Sequence, residues 1–245
     1  MASYEYKLKN AYIGWEVWEP DATRTMLYLK FENNLIDSSW NNQSVSWAWI
    51  WYWTTGNKYY VERTGTASWT YINPPQTLMQ SIWSWDFTVS LWVWCVEGSG
   101  AWIFTNEYDS SSPWYWLYIK WYTNSLDNSK INLWWANNWW GGPSDAASCY
   151  AEWLNRYTWH HMIVTRNSWI ISLYVDWQNY WDVSMTRSFA NPWVSKFKIL
   201  NRNDYTSQAW AEAWVRMSEV ILEKVWWATE KCVWYFNSTK SNYWF

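Results

Sequence analysis

Hydrophobic and polar residues alternate along much of this chain, a pattern typical of β-strands that bury one face. The clearest run is 87–93, where Phe87, Val89, Leu91 and Val93 fall on one side of a strand. Short runs of this kind recur between segments rich in Asn, Ser, Asp and Trp. We predict strands at 26–31, 87–93, 114–119, 130–133, 160–165, 170–175, 196–200 and 215–222.

This strand spacing predicts an all-β fold, namely a two-sheet antiparallel sandwich of the jelly-roll type. One short C-terminal helix is predicted from Glu230 to about Asn237, with Thr229 as its cap. Trp159 is expected to anchor the start of its strand. The residues expected in the core between the sheets are Leu91, Val164, Ile171, Leu173 and Val175.

Small polar residues mark the segments that we predict to be loops, at 38–55, 109–113 and 137–148. Residues 1–25 have mixed charge and contain Glu19-Pro20-Asp21, a sequence that breaks regular structure. We therefore predict a lead or attachment segment at 1–25 and one domain at 26–245.

Tryptophan and glycine occur at unusual frequencies, with 32 Trp and 7 Gly in 245 residues. An average domain has about 7% Gly, or roughly 17 residues at this length. Trp40, Trp169 and Trp177 lie beside Asn, Asp or Ser in turn-like segments, where Gly normally supplies a positive φ. We predict that most Trp codons are UGA in a genome that reads UGA as glycine. The alternative is a protein truly rich in Trp, such as an interfacial membrane binder.

The recoding hypothesis gives each Trp a second interpretation. The segment WAWIWYW at 47–53 becomes a glycine-rich loop instead of an exposed aromatic patch. Trp92 and Trp159 lie inside apolar runs, so we predict that they are genuine Trp encoded by UGG.

Charge and hydropathy narrow the range of functions. The formal net charge is −3 and the pI about 5.4, so the chain lacks the basic footprint of a nucleic-acid-binding protein. It has no run of about 18 uncharged apolar residues, so membrane insertion is not expected. The first residues do not resemble a signal peptide. The sequence leaves the oligomeric state and the location of the protein open. If the protein acts on a virion or outside the cell, it must leave the cell without a signal peptide, for example when virus particles are released.

The three cysteines show no CxxC motif and no Cys/His metal spacing. We expect Cys95, Cys149 and Cys232 to be small buried apolar residues, with a disulfide as the alternative.

Five segments follow one another in the order of a known family. They are LKFENNLIDSSWNN (29–42), DFTVSLWV (86–93), YTWHHMIVTRN (157–167), IISLYVDWQ (170–178) and VILEK (220–224). Together they resemble the laminin-G-like, concanavalin-A-like jelly-roll domains of lectins and glucanases, over roughly residues 26–245. Trp40 and Trp177 stand where that family has glycine, so the resemblance and the recoding hypothesis support each other.

The resemblance implies a non-enzymatic recognition or adhesion domain that binds a glycan or a protein of a cell or virion surface. Two alternatives stay open. One is a structural protein of a phage tail or appendage, with residues 1–20 as its attachment arm. The other is a glycoside hydrolase of the concanavalin-A-like superfamily.

Hydrolysis is disfavoured because no catalytic set is visible. Retaining glycosidases need two carboxylates about 5–5.5 Å apart, which some relatives place on one strand as Glu-x-Asp-x-Glu. The nearest match, Glu107-Tyr-Asp109-Ser-Ser111, lacks the third carboxylate. His160 and His161 are adjacent, so on a strand they face opposite sides, with no metal partner and no nucleophile beside them.

Relatives of this family often bind calcium, so the resemblance implies a possible calcium site built from oxygen ligands. Asn106, Glu107 and Asp109 are the candidate ligand-binding residues, with Asn106 and Asp109 as the candidate calcium ligands. A solvated loop without a ligand is the alternative.

Overall fold

The structure, a computed structural model, describes residues 19–48, 50–55, 58–63, 71–75, 77–78, 86–95, 101–107, 116–124, 128–136, 146–155, 157–184, 196–200 and 215–243. A helix, α1 (Thr229–Thr239), and a 3-10 turn (Lys240–Asn242) follow the last strand. The strands are β1 (Thr25–Leu29), β2 (Ser46–Ala48), β3 (Trp51–Thr55), β4 (Lys58–Arg63), β5 (Tyr71–Asn73), β6 (Phe87–Cys95), β7 (Ala101–Glu107), β8 (Trp116–Asn124), β9 (Asn128–Ala136), β10 (Ala146–Leu154), β11 (Trp159–Asn167), β12 (Ile170–Val175), β13 (Gln178–Ser184), β14 (Lys196–Ile199) and β15 (Val215–Glu223).

These strands form two antiparallel sheets. The first sheet has the order β13-β12-β11-β6-β15-β4-β3, with β1 also paired to β15. The second sheet has the order β10-β9-β8-β7-β14-β5-β2. In the middle of the first sheet, β6 pairs with β11 and β15, which come much later in the chain. The predicted all-β sandwich with one C-terminal helix is confirmed.

The face of the first sheet that packs on the second holds the core. The same buried cluster contains Ile72, Ile103 and Ile199 of the second sheet. Burial of a side chain of this size contributes about 1.5–3 kcal/mol. The core prediction is confirmed, since five expected residues are at most 1% exposed: Leu91, Val164, Ile171, Leu173 and Val175.

Two predicted loops are partly wrong. β2 and β3 lie within 38–55, and β10 begins at Ala146, inside the predicted loop 137–148. In β3, Tyr52 packs against the core while Trp51 and Trp53 are exposed. Aromatic residues therefore occupy both faces of β3, and this hides the alternation that reveals a strand. Strands β4, β5, β7 and β13 were not predicted either.

The C-terminal helix starts one residue earlier and ends later than expected. Ala228, not Thr229, is its N-cap, and it makes no side-chain capping bond. Thr229 instead hydrogen-bonds through its hydroxyl to the Tyr174 hydroxyl at 2.9 Å, because this end of the helix packs on β12. Cys232, the one cysteine whose side chain is described, is buried with a free thiol as predicted.

The turns only partly follow the predicted positive φ values. Trp177 has φ 73° and the preceding Asp176 has φ 47°, so this turn needs two left-handed residues. At the other two turns the left-handed residue is Ser168 rather than Trp169, and Asn42 rather than Trp40. Those two predictions are wrong because the neighbouring small polar residue takes the strained conformation. The predicted lead segment lies outside the described residues up to residue 18.

Candidate functional site

Two of the three predicted ligand residues lie at the end of a strand. Asn106 and Glu107 are the last two residues of β7, paired with Phe197 and Lys196 of β14. Asp109 lies outside the described residues. Calcium binding there stays a prediction, and the described residues hold no cluster of three metal-ligating His, Cys, Asp or Glu elsewhere.

The two adjacent histidines have separate surroundings. His160 Nδ1 lies 2.5 Å from Asp176 Oδ2, and its Nε2 lies 2.8 Å from the Asn155 carbonyl oxygen. The other Asp176 oxygen accepts the backbone N–H of His161 at 2.8 Å. These bonds fix the turn between β12 and β13 against the start of β11, so His160 and Asp176 stabilise this end of the sheet.

His161 faces the opposite side of the sheet and has a serine beside it, contrary to the sequence expectation. Its Nε2 lies 2.8 Å from Ser90 Oγ, while Nδ1 is buried without a partner. Burial lowers the pKa of His161 to about 3, so the ring is neutral at physiological pH. The carboxylate of Asp176 contacts the other histidine, so serine, histidine and aspartate do not form a catalytic triad.

The outer face of the first sheet, the side away from the core, is aromatic and partly covered by α1. Trp92 stacks on Tyr243 with centroids 4.1 Å apart and on His161 at 4.8 Å. Phe236 of α1 stacks on the same indole at 5.9 Å. This buried cluster, which also holds Trp159 and Tyr60, fixes the helix on the sheet.

Next to α1 this face carries a group of residues that we call the outer-face patch, in which Tyr60 and Glu62 are buried and Trp94 and Arg216 are partly exposed. It consists of Tyr60, Glu62, Trp94, Tyr157 and Arg216. Arg216 Nε donates to Glu62 Oε2 at 2.8 Å, and its guanidinium carbon lies 3.9 Å from the Trp94 ring centroid. The Tyr60 ring is 5.2 Å from the same carbon. Tyr157, which is 54% exposed, meets Trp94 edge to face at 6.2 Å.

Strand register explains how distant residues meet in this patch. Trp94 of β6 pairs with Arg216 of β15, and Arg216 pairs with Glu62 of β4. The row continues on one side to Trp159 of β11 and on the other to Trp51 of β3. Cross-strand neighbours in such a row have Cβ atoms about 4.5–5.5 Å apart, close enough for direct contact.

A second ion pair lies beside the patch. Lys58 Nζ contacts Glu219 Oε1, and the Tyr235 hydroxyl donates to Glu219 Oε2 at 3.4 Å. Glu219 has φ 49° where the β15 register shifts, so a bulge turns its carboxylate under the helix. Burial raises the pKa of Tyr235 and Tyr243 well above the usual value, so both hydroxyls stay protonated.

Sequence reasoning missed the patch for a specific reason. Arg216 occupies a non-core position of the strand predicted at 215–222, whereas Trp94 directly follows the strand predicted at 87–93. Their meeting with Glu62 depends on β4, which was not predicted, and on the pairing order of β6, β15 and β4. Pairing between strands more than a hundred residues apart leaves no local pattern in a single sequence.

Several solved structures have a fold similar to that of this chain. No protein-family model matches the chain, and no curated protein is similar to it in sequence. The binding domain of Paraclostridial Mosquitocidal Protein 1 aligns at TM-score 0.64 and 13% identity, covering 88% of this chain and 52% of that one. At such identity the likeness concerns the fold.

Two botulinum neurotoxin structures are similar to the same extent. One, of type C, concerns cell entry through interaction with two ganglioside molecules; its TM-score is 0.65 at 14% identity, with 87% and 51% of the two chains covered. The other is the binding domain of neurotoxin DC in complex with rat synaptotagmin II, with TM-score 0.64, 12% identity and coverage of 87% and 51%. The chain thus spans about half the length of these neighbours. Among the residues described here, no helix is long and apolar enough to span a membrane.

Proposed function

We propose that this chain is a non-enzymatic recognition domain that binds a glycan or a surface protein through the outer-face patch. The observation that carries the proposal is the arrangement of Arg216, Glu62 and Trp94 on the outer face of the first sheet, next to α1. A planar donor, a carboxylate acceptor and aromatic rings on one surface suit recognition, in which a few polar groups orient a ligand on apolar contacts. The neighbours' descriptions as binding domains support the same class of function.

We also propose that the domain is of the laminin-G-like, concanavalin-A-like type. The motifs that carry this resemblance fall on matching elements, with 86–93 covering the first part of β6 and 170–178 covering β12 and its turn. The glycine expected by the family at Trp177 coincides with a left-handed backbone position. Both points support the family proposal together with the recoding proposal.

The exposed fractions of the Trp side chains support recoding in most places. Trp92 and Trp227 are fully buried and Trp159 is 5% exposed, so these indoles contribute to packing. A second group is more than half exposed, and comprises Trp40, Trp47, Trp51, Trp53, Trp169, Trp177 and Trp181. So many exposed indoles on one domain favour self-association, whereas glycine at these positions does not. We propose glycine for the second group and tryptophan for the first.

The coding DNA tests the recoding proposal. We expect UGA codons at Trp40, Trp169 and Trp177 and UGG codons at Trp92 and Trp159. UGG at the first three positions would refute the proposal.

The recognition proposal is tested with the full chain carrying glycine at the seven exposed Trp positions. The protein is applied to a glycan array and to cell-surface protein extracts, and is incubated with β-glucans and galactans to measure release of reducing ends. We expect saturable binding without release. Release of reducing ends, abolished in a Glu62→Gln variant, would overturn the non-enzymatic proposal.

A further inference from the structure

We infer that the outer-face patch recognises a neutral pyranose sugar rather than a sialylated, sulfated or uronic acid glycan. The inference rests on the proposed recognition function and names the ligand class for the same site. It follows from the charge balance, the aromatic surfaces and the position of β3 beside the patch.

Arg216 of the patch and Lys58 beside it are each paired with a carboxylate. Arg216 and Glu62 form one ion pair, with side chains 28% and 9% exposed, and Lys58 and Glu219 form the other. Each pair has no net charge. An incoming carboxylate or sulfate would meet the fixed carboxylate of Glu62 next to the guanidinium of Arg216. A sugar hydroxyl both donates and accepts, and can therefore bond to the guanidinium and the carboxylate together.

The aromatic contacts set the orientation of the guanidinium. Trp94 stacks on Arg216, and the Nε bond to Glu62 fixes the plane of the group. A donor held in place before binding loses less side-chain entropy when the ligand arrives. The exposed Tyr157 ring beside Trp94 adds apolar surface for the C–H face of a pyranose. Within the recoding proposal, these contacts favour tryptophan at position 94.

With tryptophan at positions 51 and 53, β3 limits the access of a ligand to the outer-face patch. Trp51 pairs with Glu62 and Trp53 pairs with Tyr60, and the two indoles are 60% and 52% exposed. Glycine at both positions removes bulky side chains next to the carboxylate of Glu62. We therefore expect the Trp51→Gly, Trp53→Gly chain to bind sugar at least 10-fold more tightly than the chain with tryptophan at both positions.

The test is calorimetric titration of that double-glycine full chain with defined oligosaccharides. The neutral probes are galactose- and glucose-containing oligosaccharides, and the acidic probes are sialylated, sulfated and uronate-containing counterparts. Arg216→Met and Glu62→Gln are compared with Arg24→Met, which removes the exposed arginine of the Arg24–Asp21 pair and serves as the control. Circular dichroism verifies that each variant is folded.

We expect neutral sugars to bind the double-glycine chain. Their affinity should fall more than 10-fold in Arg216→Met and in Glu62→Gln, and should stay unchanged in Arg24→Met. Tighter binding of acidic sugars to Glu62→Gln, with neutral sugars inactive, would overturn the neutral-sugar inference and leave the recognition function in place. Binding of a surface protein that carries no glycan would also overturn the neutral-sugar inference and leave the recognition function in place. Loss of both glycan and protein binding in all folded forms would overturn the proposed function itself.

Discussion

At single positions, backbone angle and burial decide what a tryptophan contributes to this protein. Trp177 combines a left-handed backbone with an indole that is 52% exposed, so it gains little packing at a strained position. Trp92 has the opposite surroundings, since it is fully buried among stacked rings. The same residue type therefore stabilises one site and destabilises the other.

Trp177→Gly is expected to raise the free energy of unfolding by about 1 kcal/mol or more, because glycine has no steric penalty at positive φ. Urea denaturation of the two proteins measures the difference. Trp169→Gly is the matched control: its residue is equally exposed but does not have positive φ, and we expect little gain there. Equal effects of the two substitutions would contradict the turn geometry.

His161 is expected to make stability depend on pH. Burial holds its pKa at about 3, below the ordinary 6.5, so its contribution is complete above pH 6.5 and is lost as pH falls toward 3. In that window the free energy of unfolding should fall by roughly 1.4 kcal/mol per pH unit from this group. His161→Phe keeps a ring beside Trp92 and should flatten the curve by that slope. Lys240→Ala, which leaves His161 in place, is the control. If His161→Phe left the slope of unfolding free energy against pH unchanged, His161 would not be buried as described.

At the level of elements, α1 is held by ring stacking and by hydrogen bonds to strained or buried groups. Tyr243, just after the 3-10 turn, is 1% exposed, stacks on Trp92 and shares a hydrogen bond of 2.9 Å with Ser218 Oγ. At the start of the helix, Lys231 bonds to the buried Glu223 at 3.0 Å. The helix is therefore part of the domain's packing and limits the open part of the outer face.

Tyr243→Ala is expected to lower the free energy of unfolding by about 3–5 kcal/mol, since it removes a buried aromatic ring and leaves Ser218 without this partner. Chemical denaturation monitored by far-UV circular dichroism provides the measurement. Lys240→Ala, three residues earlier and exposed, should change stability by less than about 0.5 kcal/mol. A small effect of Tyr243→Ala would contradict the docked position of the C-terminus.

Strands with one apolar and one more polar face were predictable from the sequence. Strands with similar residues on both faces were not. β6 and β12 were found because apolar core residues alternate with Thr, Ser or Tyr. β3 was missed because aromatic residues stand on both faces, and the cap of α1 was misplaced because Thr229 bonds to Tyr174 instead. The candidate site was missed altogether, since its residues come together through long-range strand pairing.

For the whole molecule, the core and the proposed recognition surface lie on opposite faces of the first sheet. One face of the first sheet forms the core, and the opposite face is divided between the α1 contact and the outer-face patch. Four of the five patch residues, all except Tyr157, come from β4, β6 and β15, adjacent strands of one sheet, so the backbone ladder fixes their geometry. A site on paired strands is more rigid than one on loops, and this favours selective binding.

A crystal structure of the glycine-restored chain with a bound neutral oligosaccharide tests the central claim most directly. The account predicts that the sugar lies on the outer face of the first sheet, with hydroxyls bonded to Arg216 and Glu62 and its apolar face toward Trp94 or Tyr157. A sugar bound instead beside Asn106 and Glu107 at the end of β7, with the outer-face patch empty, would contradict it.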